Sequence, residues 1–168
     1  MKFYAYAETN STYDLILDHN TTAKVAWGSS TAEMNHAQAA LDADTTNWIE
    51  TARIISANEI ARITGHDTFD SATTSYGAKF YFETNTRTAP STYTKAYAWL
   101  YDYTSGCAST GCNISDSSTN GYWTSSVAYG ADGYIWTVIK LGDLDVVGPQ
   151  YGSYYGIRPV ITISKNIL

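Results

Sequence analysis

Charge is scarce in this chain, and positive charge most of all: Asp, Glu, Lys and Arg together make up 15% of the residues, and Lys and Arg number 10 against 16 Asp and Glu. From Tyr101 to Ile157 the only cation is Lys140, set against Asp102, Asp116, Asp132, Asp143 and Asp145. A surface of that sign repels a phosphate backbone, which excludes nucleic acid as a partner. Long apolar runs are missing as well: nothing approaches 18 consecutive apolar residues, so no membrane span is read. Met1-Lys2-Phe3-Tyr4 lacks the apolar core of a signal peptide, so a chain placed outside the cell implies a removed export or anchoring segment, or an added Met1. His19, His36 and His66 are scattered without metal-ligand spacing. Gly-x-Ser-x-Gly, His-Glu-x-x-His and a phosphate loop are all missing. No cofactor, no metal and no catalytic residue is expected.

Cysteine is nearly missing too, yet its two copies are close. Cys107 and Cys112 sit in a short Gly-flanked loop that can bring the sulfurs together, so a local disulfide and an oxidising compartment are expected. A ring that small contributes about 2 kcal/mol or less and fixes loop shape more than global stability. Asn10-Ser11-Thr12, Asn20-Thr21-Thr22 and Asn113-Ile114-Ser115 match the glycosylation acceptor pattern, which arises easily by chance in a Ser/Thr-rich chain.

What is abundant is tyrosine, 15 residues beside 5 Trp. Tyr129, Tyr134, Tyr151, Tyr154 and Tyr155 crowd the last third, interleaved with Asp132, Asp143, Asp145, Ser153 and glycines. Tyr offers a large amphipathic contact area while freezing two side-chain torsions, and Gly, Ser and Asp add adaptable hydrogen bonding, the mixture of a protein-binding paratope. The same residues also suit a sheet whose rings pack over neighbouring strands.

Without a fixed-period repeat or a linker, residues 1–168 read as one domain. Strands are predicted at Phe3–Ala7, Thr12–Asp18, Ala23–Trp27, Ala78–Phe82, Tyr97–Tyr103, Ile135–Ile139 and Val160–Ile163, with Gly121-Tyr122-Trp123 opening another. Ser30-Thr31-Ala32-Glu33 is a capping-box signature and predicts a helix over Thr31–Asp44. Ser56-Ala57-Asn58-Glu59 repeats it and predicts a second, shorter helix to about Thr64, closed by Gly65. The class is α+β: two short helices, a mainly antiparallel sheet and long loops.

That order, with N-terminal strands, two helices, a loop-rich middle and C-terminal strands, resembles a C-type lectin-like domain. Ala52-Arg53-Ile54-Ile55-Ser56-Ala57-Asn58-Glu59-Ile60 is similar to the Arg-Leu-Pro-Thr-x-x-Glu-Trp helix start of the formylglycine-generating-enzyme branch, with Ile55 in place of Pro. Tyr122-Trp123-Thr124-Ser125-Ser126, then Trp136-x-Val138, then Gly156-Ile157-Arg158-Pro159-Val160 resembles the ending of bacterial surface and pilin-like proteins, some of which resemble the variable proteins of diversity-generating retroelements. The likeness runs from about Tyr13 onward. It implies paired chain ends and a framework of Trp123, Trp136, Val138, Gly142, Arg158 and Pro159. It also implies ligand-facing positions at Ala128, Tyr129, Asp132, Tyr134, Thr137, Ile139, Lys140, Asp143, Asp145, Tyr151, Ser153, Tyr154 and Tyr155. Strand alternation supports part of this set: with Trp136 and Val138 inward, Ile135, Thr137 and Ile139 point out.

The function implied is an extracellular, adhesin- or receptor-type binding module on a bacterial surface or pilus-like protein. Its ligand would be a protein or glycan, and it would be a monomeric domain of a larger surface protein. Two alternatives stand beside it. An oxidase like the formylglycine-generating enzymes would use the Cys107–Cys112 spacing, but there the pair follows a Gly-Gly-Ser-type segment near the C-terminus, whereas here it precedes Gly121. A calcium-dependent lectin would need Glu-Pro-Asn, Gln-Pro-Asp or Trp-Asn-Asp, and none is present. Arg158, next to Pro159, is expected to pair with a buried carboxylate or backbone carbonyls rather than with ligand.

Overall fold

Two sheets form in a computed structural model that describes residues 1–22, 24–29, 33–84, 86–101, 120–131, 133–151 and 154–167. The first is built from β1 (Phe3–Glu8), β2 (Thr12–Leu17), β3 (Arg53–Ile54) and β9 (Pro159–Ser164), in the order β1-β2-β9-β3 and antiparallel throughout. The second holds β4 (Phe80–Tyr81), β5 (Gly121–Val127), β6 (Ile135–Ile139), β7 (Asp143–Val147) and β8 (Tyr155–Gly156), in the order β4-β7-β6-β5-β8, antiparallel but for the β5–β8 pair. With α1 (Asn35–Asp44), α2 (Ala57–Ile63) and α3 (Ala98–Tyr101) the class is α+β. The β2–β9 pairing joins the two ends of the chain, Tyr13 opposite Ile163 and Ile16 opposite Val160.

The α2 helix forms as its residues dictate. Ser56 Oγ accepts from Glu59 N–H, and the Glu59 carboxylate accepts in return from the Ser56 N–H, satisfying two otherwise orphan donors. At the other end Gly65, at φ +78°, lets His66 N–H reach Ala61 O and Gly65 N–H reach Arg62 O, a Schellman closure that a Cβ would disfavour. Glu59 also takes both Arg53 guanidinium nitrogens, at 2.9 and 2.6 Å, and the Tyr6 hydroxyl, at 2.8 Å. Although burial opposes it, this set of donors holds the Glu59 carboxyl down at about 2.

Three local expectations are overturned. The α1 helix starts at Asn35, not Thr31, and its N-cap Met34 makes no side-chain cap; the Ala37 N–H donates instead to the carbonyl of Trp27, so a tertiary contact supplies the acceptor. The segment before it lays down no ladder at 24–27. Val25 N–H bonds to Tyr155 O and Trp27 N–H to Pro149 O, while the indoles of Trp123 and Trp27 donate to Val25 O and Thr124 O. Side chains thus use groups that a strand would have paired.

The third is Tyr97–Tyr103, whose stretch 98–101 is the short helix α3 rather than a strand. Its carbonyls answer a cation. Arg158, fully buried, donates to Leu17 O at 2.6 Å, Leu100 O at 2.6 Å and Trp99 O at 2.8 Å, and lies 5.3 Å from the Tyr122 ring centroid. A helical turn gathers its last carbonyls in one direction, the arrangement a guanidinium can bind; an extended strand would point them apart. Arg158 therefore ties β2, α3 and the start of β9 together, the structural use expected for it.

Tyr122, Trp136, Val138 and Leu144 face one way, into a core shared with Ile16, Ile55, Ile60, Phe80, Leu100 and Val160. Trp123 and Ile135 face the other way, into a second core with Trp27, Ala37, Leu41, Ile54 and Ile157. The second sheet is thus buried on both faces along β6, where Ile135, Trp136, Thr137 and Val138 are all fully enclosed. Outward exposure of Ile135 and Thr137 fails for this reason: the strand is central and covered on both sides, so alternation sorts its residues between two cores rather than between core and water.

Candidate functional site

The expected contact residues separate into groups. The first lies at the β5–β6 hairpin. Ala128 N–H donates to Tyr134 O and Tyr134 N–H to Ala131 O, with Gly130 and Gly133 both at positive φ, so the loop turns tightly and lifts Tyr129 and Tyr134 clear of the sheet. A residue outside the C-terminal third joins them. Ser75 bridges Tyr129, Tyr76 N–H donates to Tyr129 O, and the Tyr76 and Tyr134 rings lie 6.5 Å apart. Tyr76, Tyr129 and Tyr134 are between 44% and 59% exposed, an aromatic patch in water at the end of a buried framework. Ala128, expected to face ligand, is buried beneath them.

The second group is a row across the sheet. Residues paired in register share a face, and the pairs Thr137–Asp145, Ile139–Asp143, Gly121–Ile139, Gly121–Tyr155 and Tyr81–Asp143 place Thr137, Ile139, Asp143, Asp145 and Tyr155 on one face with Tyr81. The sequence therefore names a real grouping, but much of it lies inside. Thr137 is fully enclosed and donates to Ile135 O, Asp143 is 3% exposed, and Tyr155 packs its ring on Trp123 at 5.0 Å. Asp143 and Asp145 are strand residues of β7. Asp145 holds the Lys79 ammonium at 3.0 Å, which raises the affinity of Lys79 for its proton. Asp143 Oδ1 is buried without a partner. Burial first, then repulsion from Asp145, pushes the Asp143 carboxyl up to about 6, against the pull of Lys79. Burial and the same two carboxylates push the Tyr155 hydroxyl up to about 12.

The third group sits at the far end of β6 from the hairpin. Lys140 N–H donates to Asn120 O, and Asn120 N–H to Tyr154 O. The strand Ile135 to Ile139 alone is four residue steps at about 3.3 Å each, so more than about 13 Å separates Lys140 from the tyrosine patch. Both Lys140 and Tyr154 are exposed. Tyr151, also exposed, turns back near Gly148, one residue beyond the Ile135–Val147 pair. A single continuous display surface is therefore not what forms: two exposed sets flank a largely buried row. Asp132, Ser153 and the expected Cys107–Cys112 disulfide lie outside the described residues.

Tyr76, Lys79 and Tyr81 were not signalled. Tyr76 follows a Gly/Ser/Thr-rich stretch that reads as loop, and nothing local announces its pairing with Tyr129, 53 positions on in the chain. Among the described residues no group of three or more His, Cys, Asp or Glu is placed to hold a metal ion, and no helix is long and apolar enough to cross a membrane. No family model, curated protein or solved structure matches the chain.

Proposed function

We propose that the chain is an extracellular binding module of C-type lectin-like type, a recognition domain of a bacterial surface or pilus-like protein that engages a protein or glycan through exposed tyrosines, without catalysis. The observation that carries this reading is the contrast within one stretch of chain: Trp123, Trp136 and Tyr122 are fully buried, while Tyr129, Tyr134, Tyr151 and Tyr154 stand in water. Exposed rings on a rigid base give contact area at small entropic cost. The paired chain ends, the capping box after Arg53 and the buried Arg158 before β9 support the lectin-like reading of the fold.

The test is a glycan array and a panel of bacterial surface proteins, each probed with and without chelator. Chelator-insensitive binding that is lost in the Tyr76→Ala, Tyr129→Ala, Tyr134→Ala triple variant, with its melting temperature kept, is the expected result. Chelator-sensitive sugar binding, or binding untouched by the triple variant, refutes the reading.

A further inference from the structure

Of the three Asn-x-Ser/Thr tripeptides in the chain, two lie among the described residues, and the fold treats them oppositely. Asn20 is 3% exposed and its Nδ2 donates to Gly121 O at 3.3 Å, so its amide is held inside the molecule. Asn10 stands at the tip of the β1–β2 hairpin, exposed, and its side chain makes no hydrogen bond or ion pair among the described residues. The backbone around it is fixed: Thr9 N–H donates to Thr12 O at 3.0 Å, and Lys165 N–H braces the tip by donating to Ser11 O at 2.8 Å. Thr9 Oγ1 accepts from the Ser11 N–H at 3.2 Å and from the Thr12 N–H at 3.0 Å. Both lone pairs of that hydroxyl are thereby used, so its hydrogen goes to Thr12 Oγ1, 2.8 Å away. The hydroxyl of the half-exposed Thr12 keeps its own hydrogen free to donate.

We propose that Asn10 is a modification site, the acceptor of one N-linked glycan, with the free Thr12 hydroxyl offered to the transferase. The inference rests on the extracellular placement proposed above, because such transfer takes place on the exported side of a membrane. The acceptor pattern requires a hydroxyl two residues after the asparagine and a surface loop, and the hairpin tip supplies both. An amide nitrogen is a poor nucleophile while its lone pair is delocalised into the carbonyl, so a transferase must grip a side chain that nothing else holds. Asn10 meets that condition and Asn20 does not. In the transfer, Asn10 Nδ2 attacks the anomeric carbon of a polyprenyl diphosphate-linked oligosaccharide. The N–C bond forms as the bond from that carbon to the diphosphate oxygen breaks, the polyprenyl diphosphate leaves with the electron pair, and one amide hydrogen leaves as a proton to water. A sugar chain at this tip would shield the end of β1, the outer strand of the first sheet, whose free edge otherwise offers itself to another chain.

The experiment incubates the folded full chain with a polyprenyl diphosphate-linked oligosaccharide and an oligosaccharyltransferase of the kind that also needs an acidic residue two positions before the asparagine. Glu8 holds that place for Asn10 and Asp18 for Asn20, so the two compete on equal sequence terms. Intact mass and peptide mapping then read occupancy at each asparagine. The expected result is one glycan on Asn10 and none on Asn20, with transfer to the hairpin lost in Asn10→Gln and in Thr12→Val and kept in Thr12→Ser. All three variants should melt with the parent, since neither side chain is buried. An unmodified Asn10 in a reaction that glycosylates a control acceptor peptide, equal occupancy of Asn20, or undiminished transfer to Asn10 in Thr12→Val would each overturn the proposal. The reaction needs neither export nor a ligand, so its failure leaves the binding-module reading intact, and failure of the tyrosine variants to lose binding leaves the Asn10 site standing.

Discussion

Asp143 is a carboxyl that the fold tolerates at a cost, and removing its charge should stabilise the protein in a pH-dependent way. Its carboxyl ionises at about 6 in the folded state against an ordinary 3.8. Between those values the folded chain holds a proton that the unfolded chain has released, so stability falls as pH rises from about 4 through 6 and is flat above. A difference of about two pH decades corresponds to about 3 kcal/mol. Lys79, which favours the ionised form, and Asp145, which opposes it, are already included in that difference.

The D143N substitution keeps the shape and removes the titration. At pH 4 the folded carboxyl is neutral and the unfolded one about half ionised, a difference of about 0.5 kcal/mol, so D143N and the parent should melt within about 2 °C of each other. At pH 8 the variant should melt higher by about 6–12 °C, taking 2–4 °C per kcal/mol for a chain of this size. The assay is near-ultraviolet circular dichroism on heating, at constant ionic strength, from pH 4 to 8. A melting difference constant across that range would refute the reasoning, because it would show that the Asp143 proton affinity is the same folded and unfolded. Adding Lys79→Met to the parent should move the inflection above pH 6, since a cation that favours the ionised form is gone.

Other expectations follow from the same geometry. Glu59, held down at about 2 by Arg53, Ser56 and Tyr6, contributes stability that is complete above its unfolded value near 4.5 and lost as pH falls through 2. Glu59→Gln should cost about 3 kcal/mol at neutral pH, discounted because Arg53 is partly exposed, and urea unfolding at pH 7 checks it. Trp136→Ala empties a fully buried site and should cost about 3–5 kcal/mol, whereas Tyr134→Ala, at an exposed ring, should stay within about 0.5 kcal/mol. Equal losses in the two would place Tyr134 in the core. Gly121→Ala would set a Cβ 1.8 Å from Val138 O, so the β5–β6 ladder must part; failure to yield folded protein is expected, read by amide exchange or soluble expression.

Local signals carried the elements that depend on neighbours in sequence. The α2 helix has its donor, its acceptor and its terminal glycine within ten residues, Ser56 to Gly65, and all three act as their chemistry requires. The β6 strand and the β2–β9 pairing follow from apolar runs. What stayed hidden depends on distant partners. The α3 turn exists because Arg158, some 58 positions on, needs carbonyls converging on one point, and β-rich local propensity cannot report that demand. The β7 strand carries two Asp residues, a type depleted in strands, yet Asp143 and Asp145 are carried into the sheet by pairing with Ile139 and Thr137. The candidate site divides the same way. Tyrosine abundance pointed to outward rings without separating them from rings packed over strands, and the structure leaves those at 129, 134, 151 and 154 exposed while Tyr155 packs on Trp123. The face that buries Thr137 and Asp143 was invisible, since it is covered in part by Trp27 and Ala37 from the other end of the chain. Exposure of the rings at 129 and 134 is therefore set by short-range turn chemistry at Gly130 and Gly133, while the framework behind them is set by contacts that only the folded chain assembles.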